Sequence, residues 1–339
     1  MKQIWKEVLV CLALGLAAPA ILMEVTGRIL RNRAPQETGG TIAVAEPAPE
    51  TVPPTEPRIK RQIQVRWPDD SLQAMELEEY LVGVVLAEMP ASFEPDALRA
   101  QAVAARTYAG KAHLLGGKHG DNSICTNEQC CQAYLAPEDY LAKGGMPQAV
   151  EKVRGAVKDT EDLVLTYGGQ LIEATYFSCS GGRTEDAKAV WGSDFPYLRA
   201  VASPGEEEAQ YYQQVCSFPK EKLELLLGIT LPDDKTRWLG KETRTPGSGI
   251  ETLEIGGQVF TGTELRTRLG LRSTFFTARA GDQGLTVETR GYGHRVGLSQ
   301  YGADAMAASG RSWREILGYY YQGTDIMALS DLAPVSPES

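Results

Sequence analysis

The alternation of apolar and polar residues predicts where the strands of this chain lie. In residues 58–67, apolar side chains stand at every second position from Ile63 to Trp67, which is the period of a strand with one buried face. Short apolar runs predict further strands at 163–167, 171–177, 253–260 and 284–290.

Segments of helical composition lie between these strands. Residues 77–88 predict a helix that ends before Pro90, and Pro95 suits the first turn of a second helix that continues to about residue 115. Two more helices are predicted at 299–308 and 313–321. Helices and strands mix without a regular βαβ repeat, so the predicted fold class is α+β. We expect a mixed sheet, a helical hairpin and a smaller subdomain inserted at about 206–262.

The N-terminal segment has the pattern of a signal anchor. An uncharged run rich in Leu, Ala and Val extends from Val8 to Met23, after Lys2 and Lys6. The run is slightly shorter than the roughly 20 residues of a usual membrane span, so a cleaved signal peptide stays an alternative. We predict that residues 1–33 form an uncleaved anchor.

Composition divides the rest of the chain. Residues 34–57 are rich in Pro, Glu, Thr and Ala and predict a disordered tether, and residues 331–339 predict a disordered tail. The folded domain is therefore expected over 58–330. A net charge of -10 argues against a nucleic-acid partner, because such proteins neutralise phosphates with a basic face.

Glu88 has the most informative surroundings of the carboxyl groups. It follows an apolar run at a helix end, where partial desolvation would raise the pKa of its carboxyl group, as a general acid requires. On the next helix, Arg99 and Arg106 lie seven residues apart on one face and are suited to hold carboxylates or sugar hydroxyls. An ordinary helical hairpin with solvated Glu and Arg ends has the same spacing, so the pattern alone leaves both readings open.

Four blocks of sequence resemble, in order, the family that includes stage II sporulation protein D and the amidase enhancers. The blocks are 78–108, 174–198, 265–274 and 291–303. The resemblance implies a lytic transglycosylase that cleaves the MurNAc–GlcNAc bond of peptide-stripped peptidoglycan strands during sporulation and leaves 1,6-anhydro-MurNAc ends. Glu88 would be its catalytic acid and base. The alternative is a non-catalytic module that binds glycan and enhances a cell-wall amidase.

A single carboxyl group is sufficient for this reaction. A glycan hydrolase generally needs two carboxyl groups, one as the acid and one to activate water or attack the sugar. In lytic cleavage the 6-hydroxyl of the muramic acid attacks its own anomeric carbon. One residue can then protonate the leaving oxygen and accept the hydroxyl proton.

The resemblance also implies the substrate contacts. Arg99 and Arg106 are expected to bind substrate, in particular the lactyl carboxylate that remains when a stem peptide is removed. The other expected contacts are Tyr176, Ser180, Gly181, Gly182, His294, Gln300 and Tyr301. His294 is also suited to brace its own loop without touching substrate. Arg295 stands where the family usually has glycine, and a positive φ would strain it; we expect its side chain to face solvent or substrate.

The cysteines suggest a metal site. His119, Cys125, Cys130 and Cys131 fall within thirteen residues, a donor set that suits tetrahedral zinc. The resemblance to some sporulation members implies that all four are ligands of a structural Zn²⁺. A disulfide between Cys125 and Cys131, or free thiols, are the alternatives. Cys179 and Cys216 are a further candidate pair, although sequence does not fix connectivity.

The resemblance implies the partners, and together with the signal-anchor pattern it implies the location. The expected partners are peptidoglycan glycan strands, a peptidoglycan amidase that strips stem peptides, and other membrane proteins of engulfment. The expected location is the cell membrane at the sporulation septum, on the mother-cell side, with the catalytic domain outside the cytoplasm.

Overall fold

Two consecutive helices form the centre of the fold. In the computed structural model, which describes residues 61–332, α1 spans Leu77–Glu88 and α2 spans Pro95–Leu115. Both helices have the predicted bounds. The N–H of Met89 still bonds to the carbonyl of Val85 at 3.0 Å, and Pro90 then prevents continuation. α2 begins with Pro95 at its first position, where no backbone donor is needed.

A mixed three-stranded sheet precedes and flanks these helices. Its central strand β1 (Gln62–Arg66) pairs antiparallel with β2 (Leu72–Glu76) and parallel with β3 (Ser123–Cys125). Ile63 and Val65 face the core and are almost fully buried, as the alternating pattern predicts. The sheet thus joins the start of the fold to the loop that follows α2.

The remaining elements alternate irregularly. In chain order they are α3 (Pro137–Ala142), α4 (Pro147–Asp159), β4 (Leu163–Tyr167), β5 (Gln170–Leu171), β6 (Tyr176–Phe177), α5 (Ala187–Trp191), β7 (Gln213–Phe218), α6 (Lys220–Leu227), β8 (Leu239–Arg244), β9 (Ile250–Ile255), β10 (Gln258–Thr261), α7 (Gly262–Leu269), β11 (Phe276–Gly281), β12 (Gly284–Arg290), β13 (Leu298–Ser299), α8 (Gln300–Ala308), α9 (Trp313–Tyr320) and β14 (Asp325–Ala328). The predicted α+β class is confirmed.

The described residues form several small sheets where the sequence predicts one mixed sheet. Besides β2-β1-β3, the strand orders are β10-β9-β8, β11-β12-β7, β13-β6 and β14-β4-β5. The predicted strand 171–177 divides into β5 and β6, because its two ends belong to different sheets. The predicted strand 253–260 is a hairpin, since Gly256 and Gly257 have φ values of 61° and 82° and turn the chain.

Two clusters of apolar side chains are buried separately. The larger cluster contains the apolar faces of α1 and α2 and side chains from both ends of the described chain. The smaller cluster runs from Phe218 to Val287 and includes Trp238, which is 1% exposed. It overlaps the predicted insertion at 206–262 but extends beyond it. The domain boundaries themselves stay a prediction.

The predicted membrane localisation is corrected. Within residues 61–332, none of the helices is both long and apolar enough to cross a membrane. The described residues therefore show no membrane anchoring. The anchor predicted at 1–33, the tether at 34–57 and most of the tail at 331–339 lie outside the described residues.

A buried ion pair holds the helical hairpin together. Arg106 on α2 is fully buried, and its Nε and Nη2 atoms donate to the two carboxylate oxygens of Glu78 on α1 at 2.9 and 2.6 Å. The same guanidinium donates to the carbonyls of Val157 and Leu163 at 3.1 and 3.2 Å. It therefore joins α1 and α2 to α4 and the start of β4.

We expect Arg106→Met to lower the free energy of unfolding by about 3 kcal/mol or more, because it leaves Glu78 without its buried ion-pair partner and removes one donor from each of two carbonyls. The control is Arg154→Met, which removes a partly exposed pair with Glu79 and should cost about 1 kcal/mol or less. Urea unfolding of the three proteins measures both values. Equal losses in the two variants would contradict the structural role of Arg106.

Candidate functional site

An open cleft of about 1030 Å³ lies at the end of α1. This volume is at the upper end of the usual range for ligand sites, so the cleft has room for an extended ligand. The charged and titratable side chains that line it include Glu88, Glu128, Glu173, Lys118, Arg266 and His294. Seven aromatic side chains also line it: Tyr108, Tyr176, Phe177, Trp191, Phe195, Tyr211 and Tyr292.

Glu88 is the last residue of α1, and its carboxyl group lies in this cleft. Oε1 accepts a hydrogen bond from the backbone N–H of Ala133 at 2.8 Å. Oε2 accepts a longer one from the side-chain amide of Gln300 at 3.4 Å. Three distant parts of the chain therefore meet at this carboxyl group.

Burial raises the pKa of Glu88 above its ordinary value. The hydrogen bonds from Ala133 and Gln300 act in the opposite direction, because they stabilise the ionised form. Glu128, also in the cleft, contributes a small further increase through its negative charge. The Glu88 carboxyl group therefore keeps its proton to a higher pH than an exposed glutamate, and two hydrogen-bond donors still stabilise its ionised form.

Tyr176 lies in the same part of the cleft as Glu88. Burial raises the pKa of Tyr176 well above its usual range, and the charge of Glu88 adds to the effect. Its hydroxyl oxygen accepts a hydrogen bond from the amide of Gln132 at 2.9 Å. Gln132 is itself buried and accepts a hydrogen bond from Tyr80 at 3.3 Å. Tyr176 is therefore a neutral phenol that is held in place and keeps its own proton to donate.

His294 lines the cleft as a neutral imidazole. Burial and, to a smaller extent, the positive charge of Arg266 lower the pKa of His294 to about 4. Its Nδ1 accepts the backbone N–H of Val296 at 3.1 Å, so in the neutral ring Nε2 carries the hydrogen. The ring contacts those of Phe177 and Trp191, with centroids 5.6 and 5.3 Å away. His294 thus both braces its loop and lines the cleft.

The Ser180-Gly181-Gly182 turn does not line the cleft. It is bound to the buried carboxylate of Glu206, which accepts from the backbone N–H groups of Ser180 and Gly181 at 2.7 and 3.2 Å. The hydroxyls of Ser180 and Ser299 donate to the same carboxylate at 2.9 and 2.8 Å. Phe177 and Ser178, which precede the turn, line the cleft, and substrate contact by residues 180–182 themselves stays a prediction.

Arg295 departs from the expectation that its side chain faces solvent or substrate. It has φ 66° and is fully buried. Its guanidinium donates to the carbonyls of Ser180 at 3.1 Å and Arg183 at 2.9 Å, and it lies 4.6 Å from the centroid of the Phe275 ring. Burial lowers the pKa of Arg295 to about 10. These contacts compensate for the strained backbone and fix the loop that carries His294.

Three other predicted contacts also lie away from the cleft lining. Arg99 donates to Asp159 at 2.9 and 2.7 Å on the surface, and Arg106 is enclosed by the contacts described above. Tyr301 packs edge to face on Phe93, with ring centroids 5.0 Å apart. The prediction that Arg99 and Arg106 bind the lactyl carboxylate is therefore not carried forward, because both guanidiniums already have protein partners.

The four residues predicted as metal ligands come together. The Nε2 of His119 lies 3.7 Å from the sulfur of Cys130 and 3.6 Å from that of Cys131, and the two sulfurs are 3.8 Å apart. One donor atom from each of these residues and from Cys125 lies within 4.8 Å of all the others. Ligands of tetrahedral zinc are about 3.5–3.8 Å from one another, so the cluster fits a metal ion.

The alternative disulfides are not formed. Cys125, Cys131, Cys179 and Cys216 are all free thiols. The pKa of Cys125 is about 7; its burial acts to raise it, and hydrogen bonds from the backbone of Asn127 and from His119 more than offset that effect. Cys179 instead donates to Glu206 at 3.1 Å.

Sequence reasoning missed Glu206, Gln132 and Arg266. Glu206 opens a run of three glutamates that resembles a solvated surface segment. Gln132 and Arg266 have no local pattern that marks them as cleft residues. Of these three residues, only Arg266 could have been found from the sequence, because it lies in the block 265–274 that resembles the family.

Comparison with known proteins agrees with this picture. The protein-family model described as "Stage II sporulation protein" matches residues 69–167, which contain Glu88 and the His/Cys cluster. Stage II sporulation protein D of Bacillus subtilis (strain 168) is 39% identical over 266 residues, covering 77% of this chain and 77% of that protein. Its counterpart in Bacillus amyloliquefaciens is 36% identical over 296 residues, covering 86% of this chain and 83% of that protein.

A third relative has a different name. The "Amidase enhancer" of Bacillus subtilis (strain 168) is 30% identical over 302 residues. The match covers 73% of this chain and 40% of the relative. The similarity to both kinds of protein therefore extends over most of the described residues.

The raised pKa of Glu88 predicts how stability depends on pH. Between the ordinary value of 4.5 and the raised folded-state value, the folded chain binds more protons, so its free energy of unfolding falls as pH rises. Glu88→Gln removes this titration. As pH rises above about 4.5, the free energy of unfolding of Glu88→Gln should increase relative to that of wild type, and the difference should then level off. Urea unfolding at a series of pH values measures this difference.

The control for this measurement is Glu128→Gln, which removes an exposed carboxyl group from the same cleft. It reports the general effect of one lost negative charge. A Glu88→Gln profile that runs parallel to the wild-type profile throughout would show that the Glu88 carboxyl group is not desolvated.

Proposed function

The chain belongs to the stage II sporulation protein D family, and from this premise we propose that it is a peptidoglycan lytic transglycosylase. Its substrate would be the MurNAc–GlcNAc bond of peptide-stripped glycan strands, and its product a 1,6-anhydro-MurNAc end. The observation that carries the proposal is the desolvated carboxyl group of Glu88 in a cleft lined by aromatic side chains. Glu88 would act as both acid and base.

The reaction uses both protonation states of Glu88. The protonated carboxyl group donates its proton to the glycosidic oxygen as the bond to the anomeric carbon breaks. The 6-hydroxyl oxygen of the same muramic acid then bonds to that carbon, and the Glu88 carboxylate accepts the hydroxyl proton. Burial favours the neutral acid needed for the first step. The hydrogen bonds from Ala133 and Gln300 stabilise the anion needed for the second.

The lining of the cleft supports a glycan as the ligand. Trp191 and Tyr292 are 41% and 45% exposed and line the cleft, so their rings are available to a ligand. Aromatic side chains combine a flat apolar surface with a polar edge, which matches a sugar ring with apolar C–H faces and hydroxyl edges. Tyr176 would donate a hydrogen bond to the sugar from its hydroxyl, and the ring of His294 would line the same site. Gln300 would orient the carboxyl group of Glu88.

One specific observation favours a second candidate function. Most of this chain is similar to a protein named as an amidase enhancer. In that case the same cleft would bind glycan and leave it intact, and the partner would be a cell-wall amidase. The two candidates differ in whether new glycan ends are produced.

In either case an amidase is the expected partner. A lytic enzyme that acts on stripped strands needs another enzyme to remove the stem peptides first. We propose that this amidase, and other proteins of engulfment, act with the chain during sporulation.

The proposed reaction predicts a distinct product. Wild-type protein incubated with peptide-free glycan strands should release fragments with 1,6-anhydro-MurNAc ends, detected by mass spectrometry. Glu88→Gln should lose at least about a hundredfold in rate, because it cannot supply the proton. Glu128→Gln should retain most of the activity.

Each alternative mechanism leaves its own products. New reducing ends in place of anhydro ends would identify a hydrolase that uses a second carboxyl group. Binding of strands without any new ends, in wild type and variant alike, would favour the amidase-enhancer function.

We further propose that the cluster of His119, Cys125, Cys130 and Cys131 holds a structural Zn²⁺. The four protein donors fill a tetrahedral ion and leave no open position for a reacting group. The ion would cross-link the loop after α2, and that loop carries Ala133, which donates to Glu88. Its role would be to fix this donor.

We expect purified protein to contain one zinc per chain by elemental analysis. Removing the ion with a chelator, or replacing Cys131 by Ser, should lower Tm by about 10 °C, since binding free energy is coupled to folding. The control is Cys216→Ser, a partly buried thiol outside the cluster. An unchanged Tm after removal of bound zinc would contradict the structural role, and protein that is folded without any metal would contradict the site.

A further inference from the structure

Arg266 is a cleft residue to which the proposed mechanism gives no role. It lies on α7, in the smaller apolar cluster, and its side chain reaches the cleft that contains Glu88. The helix is firmly placed, because Leu265 and Leu269 are buried on one side and a capping box of Thr261 and Glu264 fixes its start. Arg266 is thus carried to the cleft by a rigid element.

The guanidinium of Arg266 lacks a protein partner. Among residues 61–332, no hydrogen-bond acceptor or carboxylate contacts it. The two fully buried arginines are different: Arg106 binds Glu78, and Arg295 binds backbone carbonyls. On the same helix, Arg268 donates to the carbonyl of Leu227 at 2.8 Å.

Arg266 has lost part of its contact with water. The side chain is partly buried, and burial lowers the pKa of Arg266. Partial loss of water without a gain of acceptors weakens the solvation of a guanidinium. An anionic group of a ligand would restore the lost hydrogen bonds, and a carboxylate matches the two-pronged geometry of guanidinium.

The charges around the cleft indicate why such a contact is needed. Glu88 and Glu128 would repel an anionic ligand. Lys118, the other cation that lines the cleft, already donates to the carbonyl of Cys130. Glu173 is paired with Lys111. Lys118 uses one of its three donors in this way, whereas no acceptor among residues 61–332 takes a donor of Arg266, so all of its donors are available to a bound anion.

We propose that Arg266 binds the lactyl carboxylate of a muramic acid residue from which the stem peptide has been removed. The inference rests on the proposed function, since it takes a glycan strand as the ligand. A peptide-bearing muramic acid has an uncharged amide at the same position. Arg266 would thus be the residue by which the cleft prefers stripped strands, and it takes the role that the sequence suggested for Arg99 and Arg106.

Binding measurements on the full chain test this directly. In a Glu88→Gln background, which prevents turnover, dissociation constants are measured for three ligands: peptide-free strands, the same strands with their lactyl carboxylates converted to amides, and peptide-bearing strands. We expect the carboxylate strands to bind about tenfold more tightly than the amidated ones. Arg266→Gln should bring the ratio close to one. Arg266→Lys should keep part of the preference, because it keeps the charge.

The matched control is Arg279→Gln. Arg279 is an exposed arginine on β11 that does not line the cleft, so its loss changes net charge by the same amount. The tenfold ratio should persist in this variant. Because each ratio is taken within one protein, a general loss of stability does not change its meaning.

The outcomes separate this inference from the proposed function. A preference for carboxylate strands that survives in Arg266→Gln, or that is absent from the background protein, overturns the assignment. Arg266-dependent binding of peptide-bearing strands alone also overturns it, because the carboxylate would then belong to the peptide. The preference for carboxylate strands can depend on Arg266 even if the protein with Glu88 intact produces no anhydro ends. That result would support the carboxylate contact and contradict the lytic proposal.

Discussion

The position of the catalytic candidate depends on one buried cation. Arg106 is enclosed in the main core and gives its donors to Glu78 and to the carbonyls of Val157 and Leu163. A charge in this environment is tolerated only if its hydrogen bonds are complete, so the elements that supply the acceptors have little freedom to move. α1 is held in this way near its start, and Glu88 lies at its other end.

The opposite wall of the cleft depends on a second set of buried charges. Glu206 accepts hydrogen bonds from the turn at 180–181, from Ser203 and from Ser299, which precedes α8. Arg295 donates to the carbonyl of Ser180 in the same turn and forms an ion pair with Glu185 at 3.9 Å. The wall is thus shaped by buried polar contacts, where rigidity depends on every partner being present.

The functional groups of the cleft come from different elements of the fold. α1 supplies an acid whose proton is retained by desolvation, and the loop after α2 supplies both a hydrogen-bond donor for that acid and a cluster of metal-binding side chains. The smaller apolar cluster supplies Arg266 through α7. Through α7 this cluster places one cation in the lining of the cleft that contains Glu88.

The sequence by itself determined the features that depend on neighbours along the chain. The bounds of α1 and α2 follow from local composition and from Pro90 and Pro95. The desolvation of Glu88 follows from the apolar run before it, and the assembly of His119 with three cysteines follows from their presence in one short segment. Each of these is decided within about a dozen residues.

Only the tertiary structure decided the partner of each charged side chain. Arg99 and Arg106 have the spacing of ligand contacts but bind Asp159 and Glu78, while Arg266, whose spacing predicts no ligand contact, reaches the cleft. Glu206 and Gln132 acquire their roles from residues far away in sequence. Arg295 is buried despite its charge, because the carbonyls that accept from it come from turns more than forty residues away. Periodicity shows which face of an element a side chain occupies, whereas its hydrogen-bond partner depends on which other element packs there.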